Sequence, residues 1–154
     1  MDHPLNDTDN SPILRTYILI KEQFETESYI SLIDDFKLRR AIAQIRLSSH
    51  HLQVELGRHC KPKIPSDKRF CKCCNSKMID DEMHFMLNCT LCQEERITLF
   101  SNLLVIEPGI FQSSNPEEVF ISLFNSCNQK SLFYIATFIR KCMKKRKLFI
   151  SQGN

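Results

Sequence analysis

Four residues in the middle of the chain have the types and the spacing of a metal site. Cys71 and Cys74 form a Cys-x2-Cys pair, and His84 and Cys89 form a His-x4-Cys pair after it. Zinc in structural sites is held by four thiolate and imidazole ligands arranged as a tetrahedron. Two short-spaced pairs are a far more specific pattern than one pair alone. The sequence therefore predicts one structural Zn²⁺ at these residues, with no coordination position left for a catalytic water.

The same segment leaves other ligand sets open. Cys89 and Cys92 form a second Cys-x2-Cys pair, so Cys92 could replace His84, and Cys73 could replace one of its neighbours. A redox role for the first pair would require a βαβ pattern around it, which the sequence lacks. The blandest alternative is a group of buried thiols with a core histidine and no metal. The N-terminus is polar and acidic and does not resemble a secretion signal. Disulfides are rare in proteins that are not secreted, so metal binding is the preferred interpretation of the clustered cysteines.

The elements that must position these ligands are predicted to be helices. Apolar residues recur at helical spacing over residues 13–24, 36–47 and 130–149, and only 3 of the 154 residues are glycine. The hydrophobic fraction of 42% and the charged fraction of 25% are ordinary for a globular domain. We therefore predict a mainly α fold: a small helical domain with one zinc knuckle, which consists of a short β-hairpin around residues 70–78 and a helix.

The chain divides into four predicted regions. Residues 1–10 are expected to be disordered, residues 11–60 to form a helical basic region, residues 61–106 to form the zinc-knuckle module, and residues 107–154 to form a C-terminal helical pair with a basic end. No apolar run approaches the roughly 18 residues that a membrane span needs. We therefore expect an intracellular protein, nuclear or cytoplasmic, without a membrane partner.

Basic side chains are concentrated in two segments. Residues 36–79 carry 11 basic and 2 acidic side chains, and residues 121–154 carry 7 basic and no acidic ones, although the net charge is only +3. Such clusters favour a polyanionic partner, and contacts to phosphates would be non-specific and salt-sensitive. For the second cluster, nuclear import and a solvated helix end are alternatives. The residues predicted to contact RNA or single-stranded DNA are Arg39, Arg40, Arg46, Arg58, Lys61, Lys63, Lys68, Arg69, Lys72, Lys144, Lys145, Arg146 and Lys147.

Several short motifs, taken together, resemble a known family. They are Leu14-Arg15-Thr16-Tyr17, Lys37-Leu38-Arg39, Arg46-Leu47-Ser48-Ser49-His50, Glu55-Leu56-Gly57-Arg58-His59, the Cys71-x2-Cys74 pair and Asp81-Glu82-Met83-His84-Phe85-Met86-Leu87-x-Cys89. From about residue 14 to residue 146 the chain resembles the zinc-binding C-terminal region that follows the polymerase in non-LTR retrotransposon reverse transcriptases. The resemblance implies the ligand set with His84 in place of Cys92. It also implies descent from a longer mobile-element protein, whose polymerase domain would be a further partner.

No catalytic set accompanies these motifs. The sequence contains no Tyr/Phe-x-Asp-Asp segment for the metals of a polymerase and no spaced acidic set typical of a nuclease. The adjacent pairs Asp34-Asp35 and Asp80-Asp81 precede predicted helices, where capping is the plainer role. We expect a zinc-binding, nucleic-acid-binding module without catalysis of its own. The alternatives are a structural or protein-interaction zinc module and an inactive fragment of a longer reverse transcriptase.

Overall fold

The computed structural model describes residues 14–21, 23 and 25–153, and this part of the chain is mainly helical, as predicted. The predicted disorder of residues 1–10 lies outside the described residues. The helices are α1 (Arg15–Ile20), α2 (Ser28–Leu32), α3 (Phe36–Arg46), α4 (Gln53–His59), α5 (Gln93–Ile106), α6 (Pro116–Phe124) and α7 (Gln129–Ser151). Shorter turns are the 3-10 segments Ser66–Lys68, Thr90–Cys92 and Pro108–Phe111 and the π-helical segment His84–Asn88.

The hydrophobic core lies where α3 and α5 pack against α7. The buried faces repeat at helical spacing, as with Leu38, Ile42 and Ile45 of α3 and Ile135 and Ile139 of α7. Each such side chain contributes roughly 1.5–3 kcal/mol relative to an exposed one. Because α7 has 23 residues, it extends about 35 Å and carries its basic end beyond this core.

Side-chain caps fix where several helices begin. Asp35 Oδ1 accepts hydrogen bonds from the backbone N–H groups of Lys37 and Leu38, at 2.7 and 3.1 Å. Asp81 Oδ1 accepts from the backbone N–H of His84 at 2.7 Å. These three bonds satisfy donors that the first helical turn leaves without partners. The capping role predicted for these two aspartates is therefore confirmed.

The predicted β-hairpin of the knuckle is not supported. Within the described residues this segment forms one isolated antiparallel bridge, between Phe70 and Ile79. The backbone N–H of Cys71 donates to Met78 O at 2.9 Å, and no strand extends from the bridge. The reason is local: the chain between the two bridge residues curls around its cysteine sulfurs, and Lys77 takes a left-handed conformation with φ of 54°.

Candidate metal centre

The structure brings Cys71, Cys74, His84 and Cys89 together. One ligand atom from each residue, a sulfur or a ring nitrogen, lies within 4.8 Å of the others. Cys89 is fully buried, His84 and Cys71 are nearly so, and Cys74 is half-buried. Three thiols and an imidazole that converge in a protected position form a donor set that could hold one metal ion.

A closed turn presents the first pair of ligands. The bridge between Phe70 and Ile79 brings the two ends of the turn together. Inside it, the backbone N–H of Cys73 points to Cys71 Sγ, with the nitrogen 3.4 Å from the sulfur. Cys74 Sγ lies 3.0 Å from Ser76 Oγ. These contacts orient both sulfurs of the Cys-x2-Cys pair toward the same side of the turn.

A π-helical turn presents the second pair. The backbone N–H of Cys89 donates to His84 O at 2.8 Å, which is an i to i+5 hydrogen bond. In a regular α-helix, residues five apart point about 140° away from each other, because each turn takes 3.6 residues. The wider turn brings Cys89 back over His84. The His-x4-Cys spacing can therefore bind one ion because the local helix is not α-helical.

The imidazole of His84 has sulfur neighbours in place of the usual oxygen partners. Its Nε2 lies 3.4 Å from Cys74 Sγ, and its buried Nδ1 has no hydrogen-bond partner among the described residues. Burial alone would lower the pKa of His84, but hydrogen bonds with Cys71 and Cys89 raise that pKa to about 10. Hydrogen bonds from Cys73 and Cys89 lower the pKa of Cys71. Cys71 therefore favours the thiolate, the form that binds metals, and the Nε2 nitrogen of His84, which faces Cys74 Sγ, is the ring atom placed to meet a metal ion.

The two other cysteines of this segment do not belong to the converging group. Cys92 is fully buried in the main hydrophobic core, and a hydrogen bond with Cys142, together with burial, raises the pKa of Cys92 to about 12. Cys73 is buried, and the hydrogen bond with Cys71 raises its pKa. The group formed in the structure thus contains His84 and not Cys92, as the family resemblance implies.

Arg146 of α7 reaches the metal centre from a distant part of the chain. Its Nη1 lies 3.5 Å from Cys71 Sγ and 3.3 Å from Cys89 Sγ. Its Nη2 donates to both carboxylate oxygens of Asp80, at 2.7 and 2.6 Å. Burial alone would lower the pKa of Arg146, but the charge of Asp80 holds that pKa above its ordinary value. A permanent cation therefore touches two of the four candidate ligands.

Asp80 does not cap the helix that follows it, although its neighbour Asp81 does. Its Oδ2 accepts from the backbone N–H of Gln53, the first residue of α4, at 2.9 Å. Its backbone oxygen accepts from the N–H of Val54 at 3.2 Å. Together with the ion pair to Arg146, these bonds connect α4, the metal-binding segment and α7. Asp80 is fully buried, so this role corrects the capping prediction for this residue.

A second buried arginine supports the π-helical turn. Arg96 Nε donates to Met86 O at 2.9 Å, and Arg96 Nη2 donates to Cys89 O at 2.6 Å. Carbonyl groups at the end of a helix need such donors. No sequence signal singles out Arg96, and the interior role of Asp80 is not visible in the sequence, because its partners Gln53 and Arg146 become neighbours only in the folded chain.

Three of the residues predicted to contact phosphate are buried, which corrects the prediction for them. Arg46 pairs with Glu27 and donates to Phe124 O at 2.7 Å. Arg69 donates to Ile64 O and Val54 O, and Arg146 lies at the metal centre. All three side chains form hydrogen bonds or ion pairs inside the protein, so they stabilise its interior and are not placed to contact a ligand at the surface.

The other predicted phosphate contacts lie at the surface to different degrees. Arg39 and Arg58 are half-buried; Arg39 donates to Ile30 O, and Arg58 lies 3.8 Å from Glu55 Oε2. Lys145 pairs with Glu95 at 3.1 Å. The exposed residues of the set are Arg40, Lys61, Lys63, Lys68, Lys72, Lys144 and Lys147.

Residues from four of the motifs that carry the family resemblance meet in one buried network. Arg15 pairs with Glu82 at 2.6 Å and with Glu55 at 2.5 Å. His50 Nε2 lies 2.7 Å from Glu82 Oε1, and Ser48 Oγ donates to the same oxygen at 3.1 Å. Burial alone would raise the pKa of Glu82, but the His50 hydrogen bond and the nearby charges lower that pKa to about 2. These motif residues therefore form an internal scaffold that connects α1, α4 and the metal-binding segment.

Comparison with known protein families, with curated proteins and with solved structures found no match. In residues 14–21, 23 and 25–153, no helix combines the length and the apolar composition that a membrane crossing requires.

Proposed function

We propose that this protein is a zinc-organised module that binds single-stranded nucleic acid, RNA or DNA, and has no catalytic activity of its own. The observation that carries the proposal is the contact between the candidate metal centre and α7. The sulfurs of Cys71 and Cys89 lie next to Arg146, so one centre joins the two basic segments, although Cys71 and Arg146 are 75 positions apart in sequence.

Zinc is the metal that best suits the donor set. Three soft thiolates and one imidazole favour zinc over the hard cations magnesium and calcium, which prefer oxygen ligands. Four protein ligands leave no open position, which is typical of a structural site. Zinc bound to three thiolates carries an excess negative charge, and the guanidinium of Arg146 would offset it. Such a site can contribute on the order of 10 kcal/mol to folding.

The basic surface supports the nucleic-acid part of the proposal. Lys61, Lys63, Lys68 and Lys72 precede or enter the metal-binding turn and are exposed. Phe149, near the end of α7, packs against the cysteine cluster. The metal centre therefore lies next to both basic segments. A polyanion can bind there by releasing counterions, without reading a sequence.

We also propose that the chain descends from the zinc-binding region of a non-LTR retrotransposon reverse transcriptase and acts inside the cell. The buried network supports the descent, because it gives one structural reason for residues that are scattered over the motifs. A purely structural or protein-interaction module is the second candidate, favoured by the closed geometry of the metal centre. In that case the zinc would hold helices together and the lysines would remain solvated.

Two measurements test the metal assignment. Metal analysis of the purified protein should find about one zinc per chain, and Cys71→Ser or His84→Ala should abolish its binding. The matched control is Cys92→Ser, which should retain the zinc because Cys92 lies outside the converging group. Loss of zinc in Cys92→Ser with retention in His84→Ala would contradict the assignment.

A binding titration tests the nucleic-acid assignment. Zinc-loaded protein is titrated against a labelled single-stranded RNA between about 50 and about 200 mM salt, and affinity should fall steeply with salt. Absence of binding at the lower salt concentration would contradict the proposal and leave the structural role as the better account.

A further inference from the structure

A groove with an apolar floor and a basic rim lies between α7 and the connection from α3 to α4. Its volume is about 570 Å³, within the range of roughly 300–1,000 Å³ that is typical of ligand sites. The floor includes Leu56, Ile139, Met143 and Ile150, and no aspartate or glutamate appears among its described lining residues. A molecule that combines an apolar surface with negative charge fits this composition.

The rim belongs to a regular row of cations. Arg140, Lys144 and Lys147 are exposed and lie at positions i, i+4 and i+7 of α7, so they share one face of the helix. The row spans roughly 10 Å along the axis. Lys145, which points elsewhere, pairs with Glu95. We call the first three residues the α7 basic row.

A second cavity shows that this charge pattern is not general. It has nearly the same volume, about 560 Å³, and lies at the other end of α7. Asp34 and Asp35 line it together with Lys130, so both signs of charge are present there. An anionic ligand would therefore prefer the groove beside the α7 basic row.

We propose that this groove binds an unpaired base of a single-stranded nucleic acid, while neighbouring phosphates contact the α7 basic row. The inference rests on the proposed function and identifies its binding site. An apolar floor accommodates the flat face of any base, which gives affinity without sequence preference. Evenly spaced cations match the even spacing of phosphates along a strand better than the irregular carboxylates of an acidic peptide. Non-specific single-strand binding commonly combines a positively charged groove with aromatic side chains on which the bases stack. In this groove the exposed ring of His51, beside the apolar floor, offers such a face.

The test uses the zinc-loaded full chain and three probes. A labelled oligouridylate measures binding, an abasic strand of equal length carries the phosphates without bases, and an oligouridylate containing 4-thiouridine maps the contact by photo-crosslinking. The variant combines Lys144→Ala with Lys147→Ala. The control is Lys130→Ala, which makes the same change on the same helix beside the other cavity.

We expect the double variant to lower the salt slope of oligouridylate binding by about 1.4, or about 0.7 for each lost phosphate contact. Lys130→Ala should leave the slope unchanged. The abasic strand should bind at least about fivefold more weakly, since a stacked base contributes about 1 kcal/mol or more. The crosslink should fall on α7 or α4 residues of the groove floor.

Other outcomes separate the groove from the proposed function. If the oligouridylate binds and the double variant has the same salt slope as Lys130→Ala, the groove is not the binding site, and the proposed function stands. Equal binding of the abasic strand, or a crosslink elsewhere, overturns base insertion in the same way. If no oligonucleotide binds at low salt, both proposals fail, and direct binding of a labelled acidic amphipathic peptide would then assign the groove to a protein.

Discussion

The contact between α7 and the metal centre makes a quantitative prediction for Arg146→Met. The substitution keeps much of the side-chain volume but removes the cation from Asp80, which is fully buried. Breaking a buried ion pair by removing one partner costs about 3–5 kcal/mol, because the other charge remains in the interior. For a domain whose total stability is about 5–15 kcal/mol, that is a large fraction.

The same substitution should also weaken metal binding. Arg146 donates toward Cys71 Sγ and Cys89 Sγ, and loss of groups that hydrogen-bond to metal ligands typically costs about 10- to 100-fold in affinity. Urea denaturation at fixed free zinc measures stability, and competition with a chromophoric chelator measures zinc affinity. The control is Arg140→Met, an exposed position six residues earlier on the same helix.

A double-mutant cycle identifies the cause. Arg146→Met leaves the buried charge of Asp80 without its partner, and Asp80→Asn removes that charge. The losses in free energy of unfolding of the two single variants should therefore be clearly non-additive in the double variant. The reasoning is refuted if Arg146→Met costs less than about 1 kcal/mol and leaves zinc affinity equal to that of Arg140→Met, since that is the range of an exposed ion pair.

Three further outcomes follow from other contacts. Glu82→Gln should lower the free energy of unfolding by about 1.5–3 kcal/mol, because Arg15 keeps Glu55 but loses the charge of its second partner. Urea denaturation measures this change, and a loss below about 0.5 kcal/mol, typical of surface sites, would contradict the network. Gly57→Ala should cost about 1–3 kcal/mol, since its Cβ would lie 2.8 Å from Arg69 Cγ. The control Gly109→Ala meets nothing closer than 3.9 Å and should change the thermal midpoint little. Finally, burial raises the pKa of Glu95, but a backbone hydrogen bond and Lys145 outweigh it and hold that pKa below its ordinary value of 4.5. The ionised Glu95 therefore stabilises the fold above pH 4.5, and this stabilisation is lost as the pH falls below that value. Lys145→Met should reduce the dependence of the free energy of unfolding on pH in the acid range. Identical acid dependence in Lys145→Met and the unsubstituted protein would exclude this role for Lys145.

The ligand set and most helices could be predicted because their determinants are local. Cys71, Cys74, His84 and Cys89 lie within nineteen residues, so short turns suffice to bring their donor atoms together. The stripes of α3 and α7 follow the helical period whatever they pack against. Asp35 and Asp81 accept hydrogen bonds from backbone N–H groups two or three residues further along the chain. Helix caps depend on such short separations, so they can be recognised in the sequence.

The predicted phosphate contacts show where local reasoning ends. Arg46, Arg69 and Arg146 are as basic in sequence as Lys144 and Lys147, yet the first three are buried. Whether an arginine faces solvent depends on acceptors that only the fold brings near, such as Asp80, which is 66 residues from Arg146. Charge counts include both kinds of side chain and therefore overestimate the basic surface.

The amino-acid sequence by itself determined the donor chemistry, the helical class and the helix starts that Asp35 and Asp81 cap, because each depends on residues a few positions apart. The tertiary structure decided which arginines are buried, which groups Asp80 holds and where the groove beside α7 lies. Each of these depends on contacts between segments far apart in the chain, and burial and distance exist only once those segments pack together.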